Sequence, residues 1–250
     1  MTEPGHVGLP GVDSAVLVVC DHASADLPRW ADLGVPASVL ATHVAVDLGA
    51  GPLARRLARR LGAEAILGRF SRLVVDLNRP EGTPGWIPEV SDGVVIPGNR
   101  NLSAEARALR RALYDSFHAA IAERIARTPP RLLVSVHSFT PQLATDPAPR
   151  PWPVAVLWNR DDRAATRALA ALRADPAVPG PVGANEPYSG RVLNHTMDRH
   201  AEANGIPYVG FEVRQDGLET RDAIERWAGV LERAVRAVLT RLSEPCVSAG

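Results

Sequence analysis

The chain has 250 residues, 46% apolar and 22% charged, enough to bury a substantial core in one large domain or two small ones. Its 28 basic residues, all arginine, balance 28 carboxylates, so no net charge draws it toward nucleic acid or an anionic membrane. No apolar stretch reaches the roughly 18 residues that span a bilayer, and the opening "MTEPGHVGLPG" lacks a basic segment followed by an apolar one.

The absence of lysine reads as a GC-rich composition rather than as selection for anion recognition. Cys20 sits in an apolar run and Cys246 in a polar tail, so a structural disulfide is not expected. A cytoplasmic protein is expected, with no nucleic-acid or membrane partner.

"AVLVVC" (15–20) has the form of a buried parallel strand. Residues 36–62 read as a helix bent at Gly49–Pro52, with His43 and Asp47 four apart on one face. "RLVVDLN" (72–78) is predicted as the second strand. Residues 80–101, rich in Gly, Pro and Asn, form a loop too long to be mere connection.

Ser103 is a plausible N-cap for a helix over 101–127. Strands at 132–137 and 153–159, a helix at 161–175, and a helix at 193–205 stopped by Gly205 follow. A last strand at 207–215 and a closing helix at 218–242 complete the pattern. Alternating strands and helices predict one α/β domain of three layers, a mostly parallel sheet with helices on both faces. Residues 1–13, with His6, and 243–250 read as loose termini.

Ligands of such sheets bind beyond the carboxyl ends of the strands. The polar residues collected there are Asp21, His22 and Ser24; Asp76, Asn78 and Arg79; His137 and Ser138; and Glu212, Arg214 and Asp216. Each has a plainer role open to it. A strand-end histidine can be a ligand, a general base or a satisfied polar group. Asp21 and Asp76 can cap loops. Glu212, between Phe211 and Val213, can pair with Arg214; unpaired, burial raises its pKa.

Zinc takes imidazole and carboxylate ligands and in catalytic sites keeps one position for water. His22 and His137 supply the imidazoles from two strands, Glu212 a proton acceptor, and Arg79 a planar fork for a substrate carboxylate. These parts suit hydrolysis of an amide in a small acidic molecule. No Gly-x-Ser-x-Gly surrounds Ser24, Ser138 or Ser189, which speaks against a serine nucleophile.

Five segments in order, "DHAS…LP" (21–28), "SRLVVDLNRP" (71–80), "SVHSFTP" (135–141), "NEPYSG" (185–190) and "FEVRQD" (211–216), resemble the N-formylglutamate amidohydrolases, over about residues 15–240. The resemblance implies a fold similar to zinc carboxypeptidases and removal of an N-formyl group from an acylated amino acid. It implies His22 and His137 as ligands of a divalent metal, zinc by preference, Asn78 and Arg79 on the substrate carboxylate, and Glu212 as general base.

Arg214 would assist with a second carboxylate, and Tyr188 and Ser189 would shape the pocket or stabilise the oxyanion. Carboxypeptidases place a carboxylate ligand three residues after the first histidine, where this chain has Ala25; the third ligand is therefore expected at Asp47, ahead of Asp26. Phe139 stands where the histidine-degrading enzymes are expected to carry a polar residue, which leaves the acylated amino acid open. The rival expectations are a carboxypeptidase-like hydrolase of other specificity, a metal-free small-acid binder that kept the fold, and a scaffold for a protein partner.

Overall fold

The computed structural model describes residues 3–242. In chain order the strands are β1 (His6–Leu9), β2 (Asp13–Cys20), β3 (Ala63–Gly68), β4 (Val90–Ser91), β5 (Val94–Val95), β6 (Leu132–Phe139), β7 (Val154–Leu157), β8 (Val182–Ala184) and β9 (Tyr208–Arg214). The helices are α1 (Ala37–Leu40), α2 (Ala50–Leu61), α3 (Ala104–Arg127), α4 (Arg163–Ala174), α5 (His195–His200) and α6 (Arg221–Leu242).

Seven strands make one sheet in the order β1-β3-β2-β6-β9-β7-β8, and β4 and β5 form a separate hairpin. The β2–β3, β2–β6, β6–β9 and β7–β8 pairs are parallel; β1–β3 and β7–β9 are antiparallel. The sheet is thus mostly parallel, in a three-layer α/β fold.

Strand alternation divides the core in two. Val16, Val18, Val134, Val136, Phe211 and Val213 pack beneath α2, α4 and α6. Leu17, Val19, Leu133 and Tyr208 face the other way, toward Tyr114, Phe117 and Ile121 of α3. By the same alternation Ser135 and His137 of β6, and Gly210 and Glu212 of β9, belong to this second face.

Ser103 caps α3 as expected, its hydroxyl accepting from the Ala106 N–H at 3.1 Å. Gly49 takes a left-handed conformation (φ 79°) before α2, and Pro52 falls in the first turn, where its missing N–H costs nothing.

Three expected elements take another form. Residues 72–78 are not a strand: β3 fills that place in the sheet, and these residues run as turns outside it. Their backbone bonds go elsewhere, Arg72 N–H to the Ala45 carbonyl and Asp76 N–H to the Trp86 carbonyl, while Leu73, Val74 and Leu77 fill the second core.

The helix read over 36–62 survives only as α1 and α2, and residues 41–49 turn between them. His43 and Asp47 therefore do not share a helical face. Residues 193–205 hold α5, then a 3-10 turn over Glu202–Asn204 ended by Gly205 at φ 64°. At the N-terminus, His6–Leu9 is not loose but pairs with β3. Cys20 is buried and free, whereas Cys246 and the tail over 243–250 lie outside the described residues. No described helix is long and apolar enough to cross a membrane.

Candidate active site

His137 and Glu212 are register partners on the neighbouring parallel strands β6 and β9, so their side chains leave the sheet side by side. β6 continues past His137 to Phe139, so the histidine lies within the strand rather than at its end. His22 comes from the turn after β2, and Asp47 from the turn before α2. A backbone bond from Asp47 N–H to the His22 carbonyl, 3.1 Å, ties these two segments together. Gly68 lets them sit tight against β3, because a Cβ there would lie 2.0 Å from the Asp21 carbonyl oxygen.

The three side chains converge. Asp47 Oδ2 lies 2.8 Å from His137 Nδ1 and 3.3 Å from His22 Nδ1. One ligand atom from each of His22, Asp47 and His137 falls within 4.8 Å of the others, and all three residues are buried.

Behind each ring stands a further carboxylate. His22 Nε2 meets Asp76 Oδ1 at 2.8 Å, and His137 Nε2 lies 3.2 Å from Asp21 Oδ2. The Asp76 carboxylate holds the proton on His22 Nε2 and leaves the Nδ1 lone pair for a metal, whereas Asp21 Oδ2 stands beside His137 Nε2 as a charge without a hydrogen bond. Two imidazoles and a carboxylate are a zinc donor set with a position to spare, so these residues fit a divalent ion. Neither the Ser138 nor the Thr140 hydroxyl orients His137; they donate to the Leu48 and Gln142 carbonyls.

The electrostatics follow from this packing. Burial and Arg72 work against a cationic His22, but Asp76 and Asp47 outweigh them and its pKa is raised. Burial opposes a cationic His137 too, and the Asp21 and Asp47 carboxylates beside it reverse that, lifting it well above the ordinary value. Asp47 and Asp76, despite burial, are held well below the usual carboxylate range by the histidines and Arg72. The cluster thus favours positive charge among its carboxylates, whether carried by protons or by a metal ion.

Glu212 behaves in the opposite way. Burial pushes it up to about 7, helped by the Asp47 carboxylate and opposed by the His137 and His22 cations and Arg72. Its Oε2 is buried without a hydrogen-bond partner among the described residues. Pairing with Arg214 does not occur.

A cavity of about 240 Å³ opens over this cluster, of a size for a small molecule. His22, Asp47, His137, Glu212, Asn78, Arg79 and Tyr188 all line it. Asn78 is fixed by its Oδ1, which accepts from Thr196 N–H at 2.9 Å. The Tyr188 hydroxyl accepts from Arg150 Nη1 at 2.9 Å.

Two sequence-assigned residues stand outside the lining. Arg214 donates to Asp216 Oδ1 and to the Arg150 carbonyl, at 2.8 and 2.9 Å. The Ser189 hydroxyl accepts from the Arg191 N–H at 3.3 Å. Ser91 and Asp92 of the 80–101 segment do reach the cavity, with Asp92 bonded to His43 at 2.9 Å.

Arg72 went unnoticed in the sequence. It donates to Asp47 Oδ1 at 3.1 Å and to Asp76 Oδ2 at 2.7 Å, joining the inner and outer carboxylates. Its four-residue spacing from Asp76 was the available signal, and reading 72–78 as a strand hid it. Thr196, whose hydroxyl donates to Asp21 Oδ1 at 2.7 Å, left no signal at all.

The model of the N-formylglutamate amidohydrolase family matches residues 14–218. The chain belongs to the N-formylglutamate amidohydrolase family. It is a hydrolase acting on amide bonds.

Gene product Atu2144 from Agrobacterium tumefaciens is 33% identical in sequence, with 97% of each chain covered and a TM-score of 0.88. An N-formylglutamate amidohydrolase from Ralstonia eutropha JMP134 shares the fold at 18% identity and a TM-score of 0.64, over 96% of this chain and 99% of that one. More distant is a metallo-carboxypeptidase from Burkholderia cenocepacia, 12% identical, with a TM-score of 0.46 over 95% of this chain and 61% of that one. No curated protein matches the chain.

Proposed function

We propose that this family member is a metal-dependent amidohydrolase that cleaves the acyl amide of a small N-acylated amino acid, the class to which N-formyl-L-glutamate belongs. His22, His137 and Asp47 would hold the ion, and two imidazoles with one carboxylate favour zinc. When bound, such an ion polarises the acyl carbonyl and makes water acidic enough to attack near neutral pH.

The chain's own residues do the rest. Glu212 takes the proton of the attacking water and returns it to the amide nitrogen as the C–N bond breaks, giving a free carboxylate and a free amine. Arg72, bonded to both Asp47 and Asp76, holds the inner and outer carboxylates in place. Asn78 and Arg79 receive the substrate carboxylate, and Tyr188 closes the wall beside them. Arg214 and Ser189 act through the loops they brace.

The observation that carries this reading is the pairing of His137 with Glu212 across neighbouring strands, an unpartnered buried carboxylate oxygen beside three converging ligand atoms. What supports it over a metal-free binder is Asp47, which supplies the carboxylate that Ala25 does not.

Glu212→Gln tests the reading, because it keeps size and burial while removing the base. kcat should fall by about 10²–10⁴-fold while bound metal per chain stays the same. A variant with unchanged kcat would remove Glu212 from the mechanism.

A further inference from the structure

The cavity holds an asymmetry of charge. Two arginines line it. Arg72 is committed, with Nη1 on Asp47 and both Nε and Nη2 on Asp76. His43 is bonded to Asp92. Arg79 alone among the lining cations makes no hydrogen bond or ion pair with a carboxylate among the described residues, though it lies near enough to Asp76 to help hold that carboxylate's pKa down. Arg214, the natural candidate for a second substrate carboxylate, turns to Asp216 and the Arg150 carbonyl. The Arg150 guanidinium is itself engaged, by the Tyr188 hydroxyl and the Thr140 carbonyl.

Apart from these cations, the lining sets a group of apolar side chains beside the uncharged polar Ser135, Ser138, Thr140, Thr145 and Asn194. Phe139 follows His137 by two residues on β6 and so shares its face. Leu157 of β7 is the register partner of Gly210, two residues before Glu212. Leu143, Leu193 and Met197 line the cavity as well. A carboxylate brought against such side chains loses its hydration and gains no partner. An aliphatic group there replaces water at a favourable surface.

Resting on the amidohydrolase reading above, we infer that the substrate carries one carboxylate, held by Asn78 and Arg79, and an apolar rather than an acidic side chain. An N-acyl leucine or methionine has this chemistry; N-formyl-L-glutamate carries one carboxylate too many.

The test is a panel on the full chain reconstituted with zinc. kcat/KM is measured by amine release for N-formyl and N-acetyl derivatives of L-leucine, L-methionine and L-glutamate. The leucine and methionine compounds should exceed their glutamate counterparts by about tenfold or more, the cost of one charged group left unpaired. Leu193→Arg, at a half-buried wall position, should narrow the gap by raising the glutamate rate.

Faster hydrolysis of the glutamate compounds would overturn the inference and leave the amidohydrolase reading standing. Hydrolysis of none would sink that reading, and competition binding on the same protein would then decide specificity. Tighter binding of the leucine compound would uphold the inference; equal or weaker binding, or none, would overturn it.

Discussion

At the scale of single residues the site is a set of buried charges that neutralise one another only when positive charge sits between Asp47 and the two Nδ1 atoms. Burying such a group alone costs several kcal/mol, so the carboxylates and imidazoles have to be satisfied together. Asp76 shows how far this extends: it takes His22 Nε2 on one oxygen and Arg72 on the other. Asp76→Asn should therefore weaken metal binding by about 10–100-fold without removing a ligand. Titration with zinc against a competing chelator checks this, and an unchanged Kd would show that Asp76 serves the fold alone. His22, His137 and Glu212 could be singled out in the sequence because polar residues closing apolar runs attract attention, and the structure brings them to one cavity. Arg72 could not be singled out, because its role depends on a turn that apolar neighbours disguised as a strand.

At the scale of elements, the sheet delivers His137 and Glu212 by register, and the loops deliver everything else. That His137 and Glu212 are register partners, with side chains leaving the sheet side by side, is what the structure adds. Asp47 was reachable from the chain only as the nearest spare carboxylate, since no periodicity marks the turn that carries it. The α3–α5 contact is a second polar cluster away from the cavity lining. His118 stacks on His200, with Nδ1–Nε2 at 2.9 Å, and bonds the Leu77 carbonyl just before Asn78. Tyr114, Phe117, Ile121 and Ile125 at helical spacing put His118 on the buried side of α3.

Burial, then His200 and Arg199, lowers His118 to about 3, and burial with Arg199 lowers His200 to about 4. Both folded values lie below the ordinary 6.5, so the unfolded chain binds the extra protons. The stability they contribute is complete above pH 6.5 and is lost as pH falls toward 4. Denaturant unfolding of the zinc-loaded chain and of His118→Gln at pH 7 and pH 5 measures this. The wild-type advantage should shrink on acidification, by up to ~1.4 kcal/mol per pH unit for the one proton. A constant advantage would mean that His118 is protonated in the fold.

At the scale of the whole molecule, the three-layer α/β architecture was visible in the alternation of apolar runs and amphipathic stretches. Its edges were not: β1 is a four-residue strand whose place depends on β3, itself hidden in a short segment after α2. The proposed ligands His22, Asp47 and His137 come from three separate stretches, so an ion held by them would link these stretches and bind only the folded chain. Zinc at a thousandfold excess over Kd should then stabilise the protein by about 4 kcal/mol, read as a rise in Tm that chelation reverses.

The central claim is that this tied site hydrolyses an acyl amide with metal assistance. Its most direct test is amine release from a panel of N-acyl amino acids by the purified chain, then after chelation, then after zinc is restored. Activity lost to the chelator and regained with zinc, and absent from His137→Ala throughout, is the predicted result. Hydrolysis that persists undiminished after the metal is gone would contradict it.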